Sequence, residues 1–172
     1  MPNTHLEYEA LFNNASIGII TVNGKGEIVL INDFALKQFD YDSQKELLGS
    51  KIEVLIPSRY KERHTSHRSD YIGHNPHSRP MGLGLDLYGK KKSGIEFPVE
   101  VSLSTYKIGE DTYALAFVSD ISVRKESENA LVQLNAQLEQ KVEERTQSLA
   151  DALAKEKELN ELKSRFVSMA SH

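Results

Sequence analysis

The chain has 172 residues, of which 39% are hydrophobic and 27% charged, enough for one packed domain and a further segment. It has no cysteine, which excludes disulfides, thiolate metal sites, cysteine nucleophiles and cysteinyl–flavin photochemistry. The formal net charge of −4 argues against nucleic acid as a partner, and no apolar run reaches the roughly 18–20 residues of a membrane helix. Acidic residues stand near the N-terminus where a signal peptide is basic, so we expect a cytoplasmic chain.

The first part of the chain begins with a predicted β-hairpin followed by helices. The segments "IGIITVN" and "GEIVLIN" flank the turn "NGKGE", which is typical of a hairpin. Asn32 and Asp33 then form a helix start, because apolar residues follow at helical spacing. Two more helices are predicted, one over "DSQKELLG", which Gly49 ends, and one that begins after Pro57.

Three predicted strands complete this part. In "MGLGLDLYG" and in "FPVEVSLS", apolar residues alternate strictly with Gly, Pro or polar residues, which predicts strands with one buried face. The segment "TYALAFVSD" is apolar on both faces, as a central strand would be. The order β-β-α-α-α-β-β-β predicts an α+β domain, in which helices lie across one face of an antiparallel sheet.

The second part, from Val123 to His172, has neither Gly nor Pro and predicts one long helix. Its apolar residues follow heptad spacing with one four-residue slip, a stutter that locally relaxes a supercoil. The predicted seam consists of Leu131, Leu134, Leu138, Val142, Leu149, Leu159 and Phe166. Arg145 and Glu156 fall at core positions, so this seam is imperfect. At about 1.5 Å per residue, this helix would be roughly 60 Å long, which exceeds the width of the domain that precedes it. We therefore predict a parallel coiled-coil dimer rather than an amphipathic helix packed on its own domain.

Several segments resemble a known sensor family. "LFNNASIGIITVNGKGEIVLINDFALKQFDY", "KELLGSKIEVLIP", "GKKKSGIEFPVEVSLS" and "AFVSDIS" resemble a PAS sensor domain over about residues 5–122. The resemblance implies a five-stranded antiparallel sheet with flanking helices around a small cavity. The remainder resembles the signalling helix of a sensor histidine kinase, and "ELKSRFVSMASH" resembles the start of its dimerisation and phosphoacceptor helix.

The resemblance implies a division into four segments: an N-terminal helical cap over 1–15, the PAS domain over 16–122, a coiled-coil linker over 123–158, and the start of the phosphoacceptor helix over 159–172. His172 would be the phosphoacceptor; the alternative is a histidine without a role. The acidic residue that follows this histidine in the family, and the domain that binds ATP and Mg²⁺, would lie beyond it. We therefore expect an inactive fragment of a cytoplasmic two-component kinase. Its partners would be a second copy and the receiver domain of a response regulator.

The junction between the two parts is Asp120, Ile121 and Ser122. The resemblance implies that the sensor acts on the helix here. The residues agree, because Asp and Ser favour helix starts and here follow a buried strand. The alternative is that Asp120 is a plain helix cap without a signalling role.

His64 stands where oxygen-sensing haem PAS kinases present their iron-ligating histidine, so haem is one alternative cofactor. We favour a structural histidine satisfied by a backbone carbonyl, because the same Arg-His pair occurs in PAS domains without haem. His64 and His67, and likewise His74 and His77, are three residues apart, but no carboxylate or thiolate joins them at matching spacing. We therefore predict no metal site.

Other outputs remain open for such a sensor. The domain could drive a cyclic-dinucleotide cyclase, or serve as a dimerising interaction module. The segment "ELKSRFVSMASH" favours the kinase, because cyclase linkers have no need of it.

Overall fold

An antiparallel sheet and one very long helix dominate the computed structural model, which describes residues 4–74, 79–81 and 86–171. The α-helices are α1 (Thr4–Asn13), α2 (Asp33–Gln38), α3 (Lys61–His74) and α4 (Ser122–Ala170). Three 3₁₀ turns lie between α2 and α3, at Gln44–Glu46, Ile52–Leu55 and Ser58–Tyr60. The strands are β1 (Gly18–Val22), β2 (Ile28–Ile31), β3 (Arg79–Met81), β4 (Leu87–Lys90), β5 (Glu96–Ile108) and β6 (Asp111–Asp120).

The strand order is β2-β1-β6-β5-β3, with β4 also paired to β5, and every pairing is antiparallel. The predicted hairpin is confirmed as β1 and β2. The predicted central strand is also confirmed, because β6 lies between β1 and β5. The sheet thus has five positions, and β3 and β4 share the last one.

The prediction of one continuous strand over "MGLGLDLYG" is wrong. Met81 pairs with Val101 and Leu87 pairs with Val99, so six residues along this edge correspond to two residues of β5. A continuous antiparallel strand would advance equally on both sides of the ladder. The intervening residues 82–85 lie outside the described part of the chain.

The core lies between one face of the sheet and the segment from α2 to the second 3₁₀ turn. Its sheet side includes Ile20, Val22, Phe97, Val99, Ala114 and Val118. Its other side includes Ala35, Leu36, Phe39, Leu47 and Leu55. In β5, Phe97 and Val99 are buried while Glu100 is exposed, as the alternation predicts.

Helix α2 is fixed at both ends. The side chain of Asn32 accepts from the backbone N–H of Ala35 at 3.0 Å, which makes it the N-cap. At the other end, Tyr41 N–H donates to the Leu36 carbonyl at 2.9 Å and Asp40 N–H donates to the Lys37 carbonyl at 3.3 Å. These bonds form a Schellman motif, with Asp40 in the left-handed region at a φ of 60°.

The chain forms two compact units, residues 1–123 and 124–172. The second unit consists of α4 beyond its first two residues, and no residue of this 49-residue helix is buried. No helix in the described part of the chain is both long and apolar enough to cross a membrane.

Candidate signalling site

The junction at the end of β6 is held by two hydrogen bonds. Asp120 Oδ1 accepts from the backbone N–H of Ser122 at 2.8 Å. This bond satisfies one of the N–H groups that a helix start leaves without a helical partner. The backbone N–H of Ile121 donates to the Pro98 carbonyl at 3.1 Å, which ties the junction to β5. A single residue, Ile121, therefore separates the last strand from the long helix.

The predicted seam residues are all exposed on α4. Leu131 is 60% exposed, Leu138 51% and Phe166 74%. The remaining members, Leu134, Val142, Leu149 and Leu159, are exposed as well. Further large apolar side chains on this helix, among them Val132, Leu153, Leu162 and Met169, are also exposed. So much apolar surface on one helix is typical of an interaction surface.

His64 lies on α3, and its ring contacts a carboxylate. The Nδ1 atom is 3.1 Å from Glu53 Oε1, and the His64 side chain is 25% exposed. The 3₁₀ turn Ile52–Leu55 brings the Glu53 carboxylate to this nitrogen. Because an ionised carboxylate only accepts hydrogen bonds, Nδ1 is the donor in this contact.

Glu53 is shared by three side chains of α3. Besides His64, Arg68 Nε donates to Glu53 Oε1 at 3.1 Å and Thr65 Oγ1 lies 3.4 Å from the same atom. Burial opposes ionisation of Glu53, but hydrogen bonds from His64, its own backbone N–H and Arg68 outweigh it, so the pKa of Glu53 is lowered. The carboxylate therefore stays ionised and holds α3 to the preceding turn.

Arg68 also explains a glycine in the hairpin turn. Gly26 has a φ of 79°, and a Cβ placed there would lie 2.1 Å from the Arg68 guanidinium carbon. The Arg68 side chain is only 12% exposed. A side chain at Gly26 would thus be strained in its backbone and would displace Arg68 from Glu53.

The predicted phosphoacceptor, and most of the histidines weighed as metal ligands, lie outside the described residues. These are His172 and His77, together with the side chains of His67 and His74. Among the side chains that the structure describes, no group of three or more His, Cys, Asp or Glu could hold a metal ion. No local pattern pairs Glu53 with His64, because the two lie eleven positions apart in different elements.

Comparison with known proteins identifies the domain. A family model described as the PAS fold matches residues 6–121, which is more than half of the chain. The chain belongs to the PAS family. The five-position sheet, with helices over one face, is the architecture expected of this PAS domain.

The chain is similar to one sensor protein and to solved structures of PAS domains. It shares 28% identity over 136 residues with the sensor protein FixL of Bradyrhizobium diazoefficiens, covering 78% of this chain and 26% of FixL. The chain therefore spans about a quarter of that relative's length. The PAS domain of an HTR-like protein from Haloarcula marismortui superposes with a TM-score of 0.58 and 24% identity, over 69% of this chain and 92% of that one.

A second solved structure, the PAS domain of BvgS from Bordetella pertussis, superposes with a TM-score of 0.56 and 20% identity. The superposition covers 78% of this chain and 99% of that one. At such identities, these two structures establish the shared fold alone.

Proposed function

We propose that this chain is the sensory and dimerisation part of a cytoplasmic two-component sensor histidine kinase. In this proposal the PAS domain receives the signal, the junction Asp120–Ser122 passes it to α4, and α4 presents His172 for phosphorylation. The ATP-binding domain and Mg²⁺ would belong to the rest of the kinase, and a response regulator would take the phosphoryl group. The similarity to the sensor protein FixL supports the sensory role.

The observation that carries this proposal is the direct connection between β6 and α4. The central strand of the sheet ends at Asp120, whose side chain bonds the first helical residue, Ser122. A displacement at the end of the sheet would therefore act on the start of a 49-residue helix without a flexible linker. Such a connection suits the transmission of a rotation or shift between two packing states.

The exposed seam supports dimerisation. Apolar residues repeat along α4 at heptad spacing and are unburied, so a second copy could cover them as a parallel coiled coil. A phosphoacceptor must be a neutral imidazole that is exposed on a helix and open to an approaching kinase domain. The small residues Ser168, Ala170 and Ser171 beside His172 leave room for that approach.

The test is a phase change in the linker of the full-length kinase. Deleting one residue between 125 and 140 rotates everything that follows by about 100° relative to the PAS domain. Deleting seven residues shortens the rod but nearly restores the phase. We expect the first deletion to change autophosphorylation at His172 several-fold and the second to change it much less. Activity that is indifferent to the one-residue deletion would contradict the proposal.

A haem-based gas sensor is the second candidate, and the His64–Glu53 contact favours it. Metal-ligating histidines commonly donate their other ring N–H to a carboxylate, and His64 Nδ1 has such a partner. His64 would hold the iron, which would supply binding of a diatomic gas. Haemin added to the purified chain should then give a Soret band that His64→Ala shifts or removes. A spectrum that is the same in both proteins would exclude this candidate.

A further inference from the structure

Gln38, the last residue of α2, reaches the end of the central strand. Its amide oxygen accepts from the backbone N–H of Asp120 at 2.5 Å, and its amide nitrogen donates to the carbonyl of Val118 at 3.3 Å. Of the two ways to orient the amide, this one gives both backbone groups a matching partner. The side chain is half-buried. One residue of α2 thus makes a donor and an acceptor contact with β6.

These contacts continue the sheet where β1 stops pairing. The ladder between β1 and β6 has its last pair at Gly18 and Val118, whereas β6 runs on to Asp120. From Val118 onwards, the Gln38 amide supplies β6 with one donor and one acceptor, as the backbone of a neighbouring strand would. The end of β6 is therefore held by a side chain of α2.

Gly18 provides the space for this arrangement. A Cβ at Gly18 would lie 2.6 Å from the Gln38 amide and 3.0 Å from the Val118 carbonyl oxygen. Real Cβ atoms do not approach other heavy atoms to 2.6 Å, so any other residue would displace the Gln38 side chain. Gly18 at the start of β1 thus leaves the space that the Gln38 side chain at the end of α2 occupies.

We propose that Gln38 is a positioning residue that couples α2 to the signal junction. On its inner face, α2 contributes Ala35 and Leu36 to the domain core, so a change of core packing would shift the helix. Gln38 would carry that shift to the backbone of Asp120, whose carboxylate bonds Ser122 at the start of α4. This inference rests on the proposed function, because it names the residue through which the core acts on the junction.

Backbone amide hydrogen exchange, measured by NMR on the full 172-residue chain, tests the proposal. In Gln38→Ala, we expect the amides of Asp120 and Ser122 to exchange about tenfold faster, while amides in the middle of the β5–β6 ladder keep their rates. The matched control is Lys37→Ala, which changes the preceding, exposed residue of the same helix. Unchanged exchange at Asp120 and Ser122 in Gln38→Ala would overturn the proposal.

A second variant distinguishes coupling from general loosening. In Gln38→Glu, the ionised carboxylate can accept from Asp120 N–H but cannot donate to the Val118 carbonyl. Once protonated, the same group again has one donor and an acceptor. The protection factor of the Asp120 amide in this variant should therefore rise on acidification relative to that in Gln38→Ala. An identical pH profile in the two variants would contradict the assigned contacts. If Gln38→Ala folds poorly, the native chain replaces it as the reference, because its uncharged amide keeps both contacts over the same pH range.

Gly18→Ala gives an independent check, because it should accelerate Asp120 exchange by displacing Gln38. In the double variant with Gln38→Ala, the exchange rate of the Asp120 amide should rise little further than in Gln38→Ala alone. Fully additive effects would show that Gly18 does not act through Gln38. Neither measurement depends on kinase activity. Loss of protection in Gln38→Ala, together with a full-length kinase that ignores the one-residue deletion, would refute the proposed function and leave the coupling intact. Unchanged protection in Gln38→Ala, together with a full-length kinase whose autophosphorylation changes on the one-residue deletion, would refute the coupling alone.

Discussion

The side-chain amide of Asn32 donates a 3.0 Å hydrogen bond to the carbonyl of Phe12, which lies 20 residues earlier in the chain. The same nitrogen donates to the Ile17 carbonyl at 2.9 Å, while Oδ1 accepts from the backbone N–H groups of Ile19 and Ala35. Asn32 is fully buried, so one side chain joins the end of α1, the start of β1 and the start of α2.

Replacing Asn32 with Ala should strongly destabilise the PAS domain. The change leaves two N–H groups and two carbonyls without this partner in a buried site, and each unsatisfied group costs on the order of 1–3 kcal/mol. We expect a loss of about 3 kcal/mol or more in the free energy of unfolding, measured by urea denaturation. Asn14→Ala is the control, because Asn14 is exposed and should change stability by less than about 0.5 kcal/mol. A loss below about 1 kcal/mol for Asn32→Ala would contradict this role.

The lowered pKa of Glu53 predicts a pH-dependent contribution to stability. Because the pKa of Glu53 is lower in the folded state than the ordinary value of a glutamate, its contribution is fully present above that ordinary value and is lost as the pH falls through the folded pKa. Glu53→Gln lacks this contribution. The difference in urea midpoint between the native chain and this variant should therefore be largest near pH 7 and shrink towards pH 3.

Glu62→Gln serves as the control, since Glu62 is exposed on α3. Its difference from the native chain should stay small over the whole range. A Glu53→Gln difference that stays constant from pH 7 to pH 3 would show that ionisation of Glu53 does not stabilise the fold.

Glycine should have opposite effects on stability at Asp40 and at Lys37, because the backbone conformations of the two residues differ. Asp40 has a φ of 60°, where a side chain costs roughly 1–2 kcal/mol relative to glycine. Asp40→Gly should therefore be about 1 kcal/mol more stable than Asp40→Ala, and both lack the carboxylate that pairs with Lys91. At Lys37, within α2, the order should reverse, because glycine weakens a helix interior by about 1 kcal/mol. Thermal unfolding of Asp40→Gly, Asp40→Ala, Lys37→Gly and Lys37→Ala measures both differences in stability. The same order of Gly and Ala at the two positions would refute the left-handed conformation of Asp40.

Sequence patterns predicted the fold where the signal was local. The alternation that begins at Phe97 and Val99 reports burial directly, and "NGKGE" specifies a turn from its own residues. The prediction of one continuous edge strand failed, because the register there depends on pairing with β5 rather than on the alternation of the edge residues themselves.

The site was predicted less completely, for the same reason. Asp120 and Ser122 could be recognised as helix-start residues, since the pattern and the contact lie within three positions. Gln38 looks like an ordinary polar residue at a helix end, and its partners Val118 and Asp120 lie some 80 positions later. Only the packing of α2 on the sheet brings them together.

Two heptad frames are compatible with the last part of α4. Because the chain has no cysteine, single cysteines can be introduced to compare them. In the predicted frame, Glu156 and Lys163 share the core with Leu159 and Phe166. A frame shifted by three residues keeps Leu159 and Phe166 but places Leu162 and Met169, which are 54% and 79% exposed on the single helix, where the predicted frame has Lys163 and Ala170. Burying Leu162 and Met169 rather than the charge of Lys163 and the small Ala170 favours the second frame from Leu159 onwards.

Single cysteines introduced at the two positions should cross-link differently under mild oxidation. We expect Leu162→Cys to form the disulfide-linked dimer faster than Lys163→Cys, because Leu162 would face its counterpart across the seam. Leu134→Cys and Val132→Cys calibrate the assay, since Leu134 belongs to the predicted seam and Val132 is an exposed apolar residue outside it. Faster cross-linking of Lys163→Cys would favour the predicted frame instead. Equal rates at Leu134 and Val132 would argue against the coiled coil itself, because a random encounter of two helices has no preferred face.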